Sequence, residues 1–180
     1  MIGFGLSFSD DQEIIKKYSY PEFPEIISKK TIDIEKEIFN RINELREMSG
    51  LKLLKKNIQL DEIARAHSID MIENDFFSHT NLFGQTPTDR AKARGFKVKR
   101  SLRDRTYITE ISENIGKMPT GLVLYRGHVE DKPEAIAEAL IKSWMARPGH
   151  RANILRFYSI KTGIGVAFDG KYYVATQLFH

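Results

Sequence analysis

GIGVAFDGKYYVATQLF, residues 163–179, reads as two β-strands folded back on one another. Two apolar runs flank Asp169-Gly170, and that dipeptide in such a setting is the strongest short-range hairpin signal. Gly163 to Phe168 and Lys171 to Phe179 therefore supply an antiparallel pair, and the rest of the chain must pack against it. Upstream, SWMARPGHRANIL (Ser143 to Leu155) reads as the end of a helix. Pro148-Gly149 breaks that helix, because proline lacks the amide hydrogen and disfavours helical conformation at Arg147. His150 follows the break at once, so it can face a cleft rather than cover a helix. The helix starts near Asp131, which can cap it, with Pro133 in the first turn and Ile136, Leu140 and Trp144 as the buried stripe.

TYITEISENI (Thr106 to Ile115) has strand composition. In extended geometry Ile111, Glu113 and Ile115 share a face. A carboxylate on an apolar face is costly unless paired, hydrogen-bonded or near a metal, which makes Glu113 the most informative acid in the chain. If the strand ends or bulges early, Glu113 is wet; the pattern leaves both readings open. Gly116 to Asp131 reads as a loop carrying an exposed His128. Thr86-Pro87-Thr88-Asp89 is a well-formed helix start and Gly95 closes that helix, so Asp89-Arg90 is accounted for structurally. Asp61 to Phe76 reads as a helix with His67 on its apolar stripe, a core or boundary histidine. His79, in Phe77-Ser78-His79-Thr80, falls in the loop beyond it, a better place for a ligand residue. Ile34, Ile38, Ile42 and Leu45 mark the first long helix, with Gly50 at its end. Residues 1–32 form an N-terminal extension or linker with Pro21, Pro24 and a short helix at Asp10 to Tyr18; residues 33–180 form the domain. The fold class is α+β, a small central antiparallel sheet flanked by helices.

A chain of 180 residues is one domain's worth. With 41% hydrophobic and 29% charged residues it reads as a soluble globular protein and not a disordered one. The net charge of +4 is modest, but Arg94 to Arg105 is a basic run with Asp104 as its one acid, able to meet phosphates or an acidic surface. The absence of cysteine excludes disulfides, thiolate catalysis and cysteine-ligated zinc. No apolar stretch is long enough to span a membrane, and Met1 to Phe8 is too short for a signal peptide. We expect it to be the stub of a removed signal or anchor. No nucleic-acid recognition motif is present.

His79, His150 and Glu113 are thus the candidate site. Two imidazoles and a carboxylate can hold a divalent metal such as zinc, or pass protons. There is no HExxH, and Ser78 adjoins His79, so covalent catalysis has little support. Phe77-Ser78-His79-Thr80, Gly84-Gln85-Thr86-Pro87-Thr88-Asp89-Arg90, Glu113-Asn114-Ile115, Trp144 with Pro148 to Leu155, and Gly163 to Ala167 together resemble the CAP superfamily of cysteine-rich secretory, antigen 5 and pathogenesis-related 1 proteins, in its cysteine-free prokaryotic branch. The resemblance covers residues 34 to 179.

It implies an α-β-α sandwich with a central cleft where His79 and His150 face each other and can hold zinc or another divalent ion, with Glu113 close by. Arg147 stands where animal members often have a second glutamate, so the resemblance does not extend to chemistry needing two carboxylates; Arg147 can instead pair with Glu113 or bring an anionic ligand. The resemblance also implies an extracellular or surface-anchored location and a small-molecule, lipid or protein ligand. Three functions follow as expectations: a non-enzymatic binding module with a metal-capable cleft, a metal-dependent hydrolase with Glu113 as base, or a structural domain whose cluster is a hydrogen-bond network.

Overall fold

The computed structural model describes residues 8–18, 25–102, 105–124 and 127–180. Of the expected stub, Met1 to Phe8, residues 1–7 lie outside them, as do Pro21 and Pro24. Helices α1 (Phe8–Lys17), α2 (Lys29–Met48), α3 (Ile58–Glu73), α4 (Pro87–Ala93), α5 (Pro133–Met145) and α6 (Pro148–Ile154) surround a four-stranded sheet. Its strands are β1 (Lys55–Lys56), β4 (Ser112–Pro119), β7 (Lys161–Phe168) and β8 (Tyr172–Phe179), in the order β1-β7-β8-β4. Two small hairpins complete the set: β2 (Arg100–Ser101) with β3 (Tyr107–Ile108), and β5 (Gly121–Val123) with β6 (Gly127–Val129).

The β7–β8 hairpin forms as its sequence predicts, with Phe168 opposite Tyr173 and Gly170 at φ +91° in the turn. The two faces of the pair differ in side-chain size. Ile164, Val166, Tyr173, Ala175 and Phe179 join Ile34, Ile38, Trp144 and others in the main core under α2 and α5. The opposite face receives α3, and there Gly163 and Gly165 leave room for its backbone. A Cβ on Gly165 would stand 2.0 Å from the Arg65 amide nitrogen, and one on Gly163 2.2 Å from the Leu60 carbonyl carbon. The helix thus lies directly on the strand, and the result is the expected α-β-α sandwich. The sheet is antiparallel except for the two-residue edge strand β1, which runs parallel to β7.

Because β1 is so short, most of the outer edge of β7 has no strand beside it. Side chains and the N-terminal segment satisfy it instead. Asp61 Oδ1 accepts from the Ile164 amide at 2.8 Å, Glu35 Oε1 from Val166 at 3.0 Å, and the Ile26 carbonyl from Phe168 at 3.0 Å. Ile26 and Ile27 are buried with Tyr18, Ile32, Ile69 and Ala167. Helix α2 starts at Lys29, capped by Ser28.

Two other segments differ from the sequence reading. The strand anticipated over 106–115 is split: residues 107–108 pair with β2, and β4 begins at Ser112 and runs on to Pro119. The segment 116–131 holds the β5–β6 hairpin, with an exposed His128 on β6. Pro148 does end the preceding helix, but it also opens α6, so His150 lies in a helical first turn rather than a loop.

Burial pushes the Asp61 carboxyl up to about 7, against the opposing pull of Lys56. A folded state that keeps a proton the unfolded chain has released loses stability as pH rises, here between about 4 and 7, by up to about 1.4 kcal/mol per pH unit. Asp61→Asn keeps an acceptor for Ile164 without the titration. Its stability relative to wild type, from urea unfolding, should therefore rise from pH 4.5 to pH 7.5. An unchanged difference would contradict the assignment. His67, His150 and His180, all lowered chiefly by burial, act in the opposite sense below about pH 6.5, so the comparison between variants isolates Asp61.

Candidate functional site

Glu113 is the second residue of β4 and sits opposite Leu178, on the face toward α3. Its side chain is only 1% exposed. Such burial requires partners, and there are two. Glu113 Oε1 accepts from His79 Nδ1 at 2.8 Å, and Oε2 is paired with the Arg90 guanidinium. Arg90 comes from α4, whose start is the expected capping box of Thr86 and Asp89. Its other nitrogen, Nη1, donates to the carbonyls of His79 at 2.8 Å and Gln85 at 3.0 Å. One cation therefore anchors both the carboxylate and the loop that carries the histidine. The expected pairing of Glu113 with Arg147 does not occur. Arg147 is the exposed N-cap residue of α6, and Arg90 holds the carboxylate.

His79 follows Ser78, whose carbonyl accepts from Nε2 of the buried His67 at 3.0 Å. His67 is thus a structural anchor, held neutral at pH 7 chiefly by burial. With Nδ1 donating to Glu113, His79 presents Nε2 as its free nitrogen. The imidazole is 48% exposed, and its centre lies 6.1 Å from that of His150, with the rings 75° apart. Such a separation suits two rings sharing one ion, given metal–nitrogen bonds of about 2.0–2.1 Å.

His150 is held from below. Asn114 Nδ2 donates to its carbonyl at 3.1 Å, and Asn153 Nδ2 donates to the Glu113 carbonyl at 3.2 Å and to Asn114 Oδ1 at 3.0 Å. Helix α6 is thereby tied to β4, the strand that bears Glu113. Trp144 adds a tie from α5, its indole donating to the Ile115 carbonyl at 2.9 Å. Burial first, then the charge of Arg147, lowers the His150 pKa, which favours a neutral, ligating ring. Its Nδ1 is buried with no hydrogen-bond partner.

The structure thus brings together the three residues read from the sequence. Sequence reasoning misses Arg90, Asn114 and Asn153 as site residues. The need of a buried carboxylate for a cation points to some arginine, but nothing in the spacing chooses Arg90 over Arg147. As a metal site the donor set is partial. Both Glu113 oxygens are engaged, and among the described residues no group of three His, Asp or Glu side chains could hold an ion. Two imidazoles fit a metal whose other positions belong to water or a ligand.

A family model for the CAP, or cysteine-rich secretory protein, family matches residues 39–179. The chain belongs to the CAP family. An uncharacterized protein of Bacillus subtilis, YkwD, is 29% identical over 145 residues, covering 81% of this chain and 46% of its own length. The chain therefore spans less than half of that relative. Among solved structures, an outer surface protein from Borrelia burgdorferi superposes with a TM-score of 0.64 at 20% identity, covering 85% of this chain and 94% of that one. An extracellular SCP-domain protein from Bacillus anthracis gives 0.61 at 22% identity, covering 98% and 44%. NaASP2, solved with Zn2+, gives 0.54 at 12%, covering 86% and 80%. These likenesses show a shared fold. No helix among the described residues is long and apolar enough to cross a membrane.

Proposed function

We propose that this CAP domain is a binding module, extracellular or surface-anchored, whose cleft holds a divalent metal on His79 and His150 and completes its coordination with a captured ligand. The observation that carries this reading is the Glu113–His79 contact. It fixes the tautomer that leaves Nε2 free, as carboxylates behind metal-ligating histidines do. The unpartnered Nδ1 of His150 and the downward shift of its pKa add support. So does the crystallisation of NaASP2 with Zn2+, and the surface or extracellular descriptions of the Borrelia and anthracis proteins favour the location. A bound zinc ion would supply Lewis acidity and a site for an anionic or carbonyl group. The residues of the chain orient the two rings, and burial with the charge of Arg147 favours the neutral form of His150.

Hydrolysis has less support. A general base needs a free oxygen near the reacting water, and both Glu113 oxygens are committed to Arg90 and His79. Calorimetric zinc titration tests the binding reading. Wild type should bind one equivalent at pH 7.5 and bind at least tenfold more weakly at pH 5.5, because protonated imidazole does not ligate. His150→Ala and His79→Ala should each abolish binding. Equal zinc binding by either variant and wild type would overturn the site, and turnover of a substrate lost in His79→Ala would replace the binding module with an enzyme.

A further inference from the structure

The ion pairs of this protein are unevenly distributed along the chain. Cations in the ion pairs of the described residues come from α1 to α5, from Lys56 and from Lys132. The described residues of the segments 92–107 and 147–161 contribute none. By sequence these two segments carry eleven Lys and Arg against Asp104 alone, so the remaining chain, with seventeen cations and twenty-three carboxylates, is net acidic. Described residues of the two segments meet in space. Arg100 donates to the Tyr158 carbonyl at 2.7 Å, and His180 joins the Val98 carbonyl at 2.7 Å to the amides of Ile160 and Lys161 at 2.8 Å. Lys97, Lys99, Arg147 and Arg151 are exposed, and α6 carries the basic face up to His150.

Aromatic rings support this ledge. Lys99 Nζ lies 4.6 Å from the centre of the Tyr107 ring, and the Arg156 guanidinium 5.5 Å from that of Tyr158. Each ring thus has a cation over one face. Phe157, 75% exposed, has no cation over it among the described residues and meets Tyr158 edge to face.

We propose that this face binds a base-free polyanionic chain, an acidic glycan or a polyol phosphate, that passes beside the histidine cleft. The cations are spread over two segments rather than aimed at one point, which suits a ligand with repeated charges and not a single anion. Nucleic acid bound without sequence preference would want stacking platforms for successive bases, and two of the three rings here already carry cations.

The test uses fluorescence anisotropy with two labelled probes, a heparin dodecasaccharide and a polyglycerol phosphate of similar charge. Single-stranded DNA and phosphatidylglycerol/phosphatidylcholine vesicles serve as comparisons. Wild type should bind one or both probes at 50 mM salt, with affinity falling as salt rises; the tighter probe identifies glycan or polyol phosphate. Lys97→Glu/Lys99→Glu/Arg151→Glu should weaken binding at least tenfold. Lys30→Glu/Lys132→Glu/Lys142→Glu, with the same change in net charge at cations that pair with carboxylates, should not. Arg151→Glu alone should weaken binding in the same direction, which keeps the test valid if the triple variant folds poorly. Absence of binding to either probe, equal loss in the two triple variants, or tighter binding to DNA or vesicles would overturn the proposal.

Discussion

Arg65→Met should cost the fold about 3–5 kcal/mol, the range for breaking one side of a buried ion pair. The Arg65 guanidinium meets Glu35 through two parallel bonds, 2.9 Å from Nε to Oε1 and 2.6 Å from Nη2 to Oε2, and both side chains are almost wholly buried. Glu35 Oε1 also accepts from Val166. Removing Arg65 leaves a carboxylate without its cation against the middle of β7. Adding Glu35→Gln should recover much of the loss, because the amide oxygen still serves Val166 without a charge to compensate. Urea unfolding of the single and double variants measures the coupling. A loss below about 1 kcal/mol in Arg65→Met would show that the pair is not what holds α2 and α3 to this edge of the sheet.

Arg46→Met should cost a similar amount, about 3–5 kcal/mol, for a different reason. Arg46 is fully buried, and among the described residues it meets backbone carbonyls and no carboxylate. It donates to Lys52 at 3.0 Å, Ile154 at 2.6 Å, Arg156 at 3.1 Å and Ser159 at 3.4 Å. The Ile154 carbonyl lies at the C-terminal end of α6, where partial negative charge collects. One guanidinium thus gathers the end of α2, the chain after it and the exit of α6. Methionine matches the length but leaves these carbonyls without a donor. Arg46→Lys should recover only part of the stability, because an ammonium cannot reach the carbonyls as a planar fork does. The effect should reach the site, since α6 carries His150: the folded fraction of Arg46→Met should bind zinc more weakly than wild type. Wild-type affinity in that fraction would show that α6 is held well enough by Asn114 and Asn153.

The hairpin, the helix start at Thr86, the first-turn Pro133 and the stripe ending at Trp144 are legible in the sequence because each is local chemistry; the cap expected at Asp131 does not form, since Lys132 is the N-cap residue and Asp131 instead meets Lys30 and Tyr173. A turn dipeptide, a cap or a periodic stripe acts within a few residues. The register of β4 is not legible. Residues 107–108 and 112–119 belong to different sheets: the first pair locally with 100–101, and the partner of the second, β8, lies far along the chain. The break before His150 is real, yet Pro148 also satisfies the first turn of a new helix, and one proline serves both readings. In the site, Glu113 can be singled out because an acid between two isoleucines needs an explanation. Its partner cannot, because Arg90 already has an adequate local account as part of a capped helix. The buried cations Arg46 and Arg65 sit in helical sequence among charged neighbours and look like solvated surface.

The central claim is that Glu113 holds His79 with Nε2 free beside a neutral His150, so that the two rings share one metal ion. Nitrogen-15 NMR of the histidine side chains during zinc titration tests it most directly. At pH 7.5 the ring nitrogens of His79 and His150 should shift together and saturate at one equivalent, and Glu113→Gln should weaken the response. Shifts confined to the exposed His128, or to one of the two rings alone, would contradict the claim.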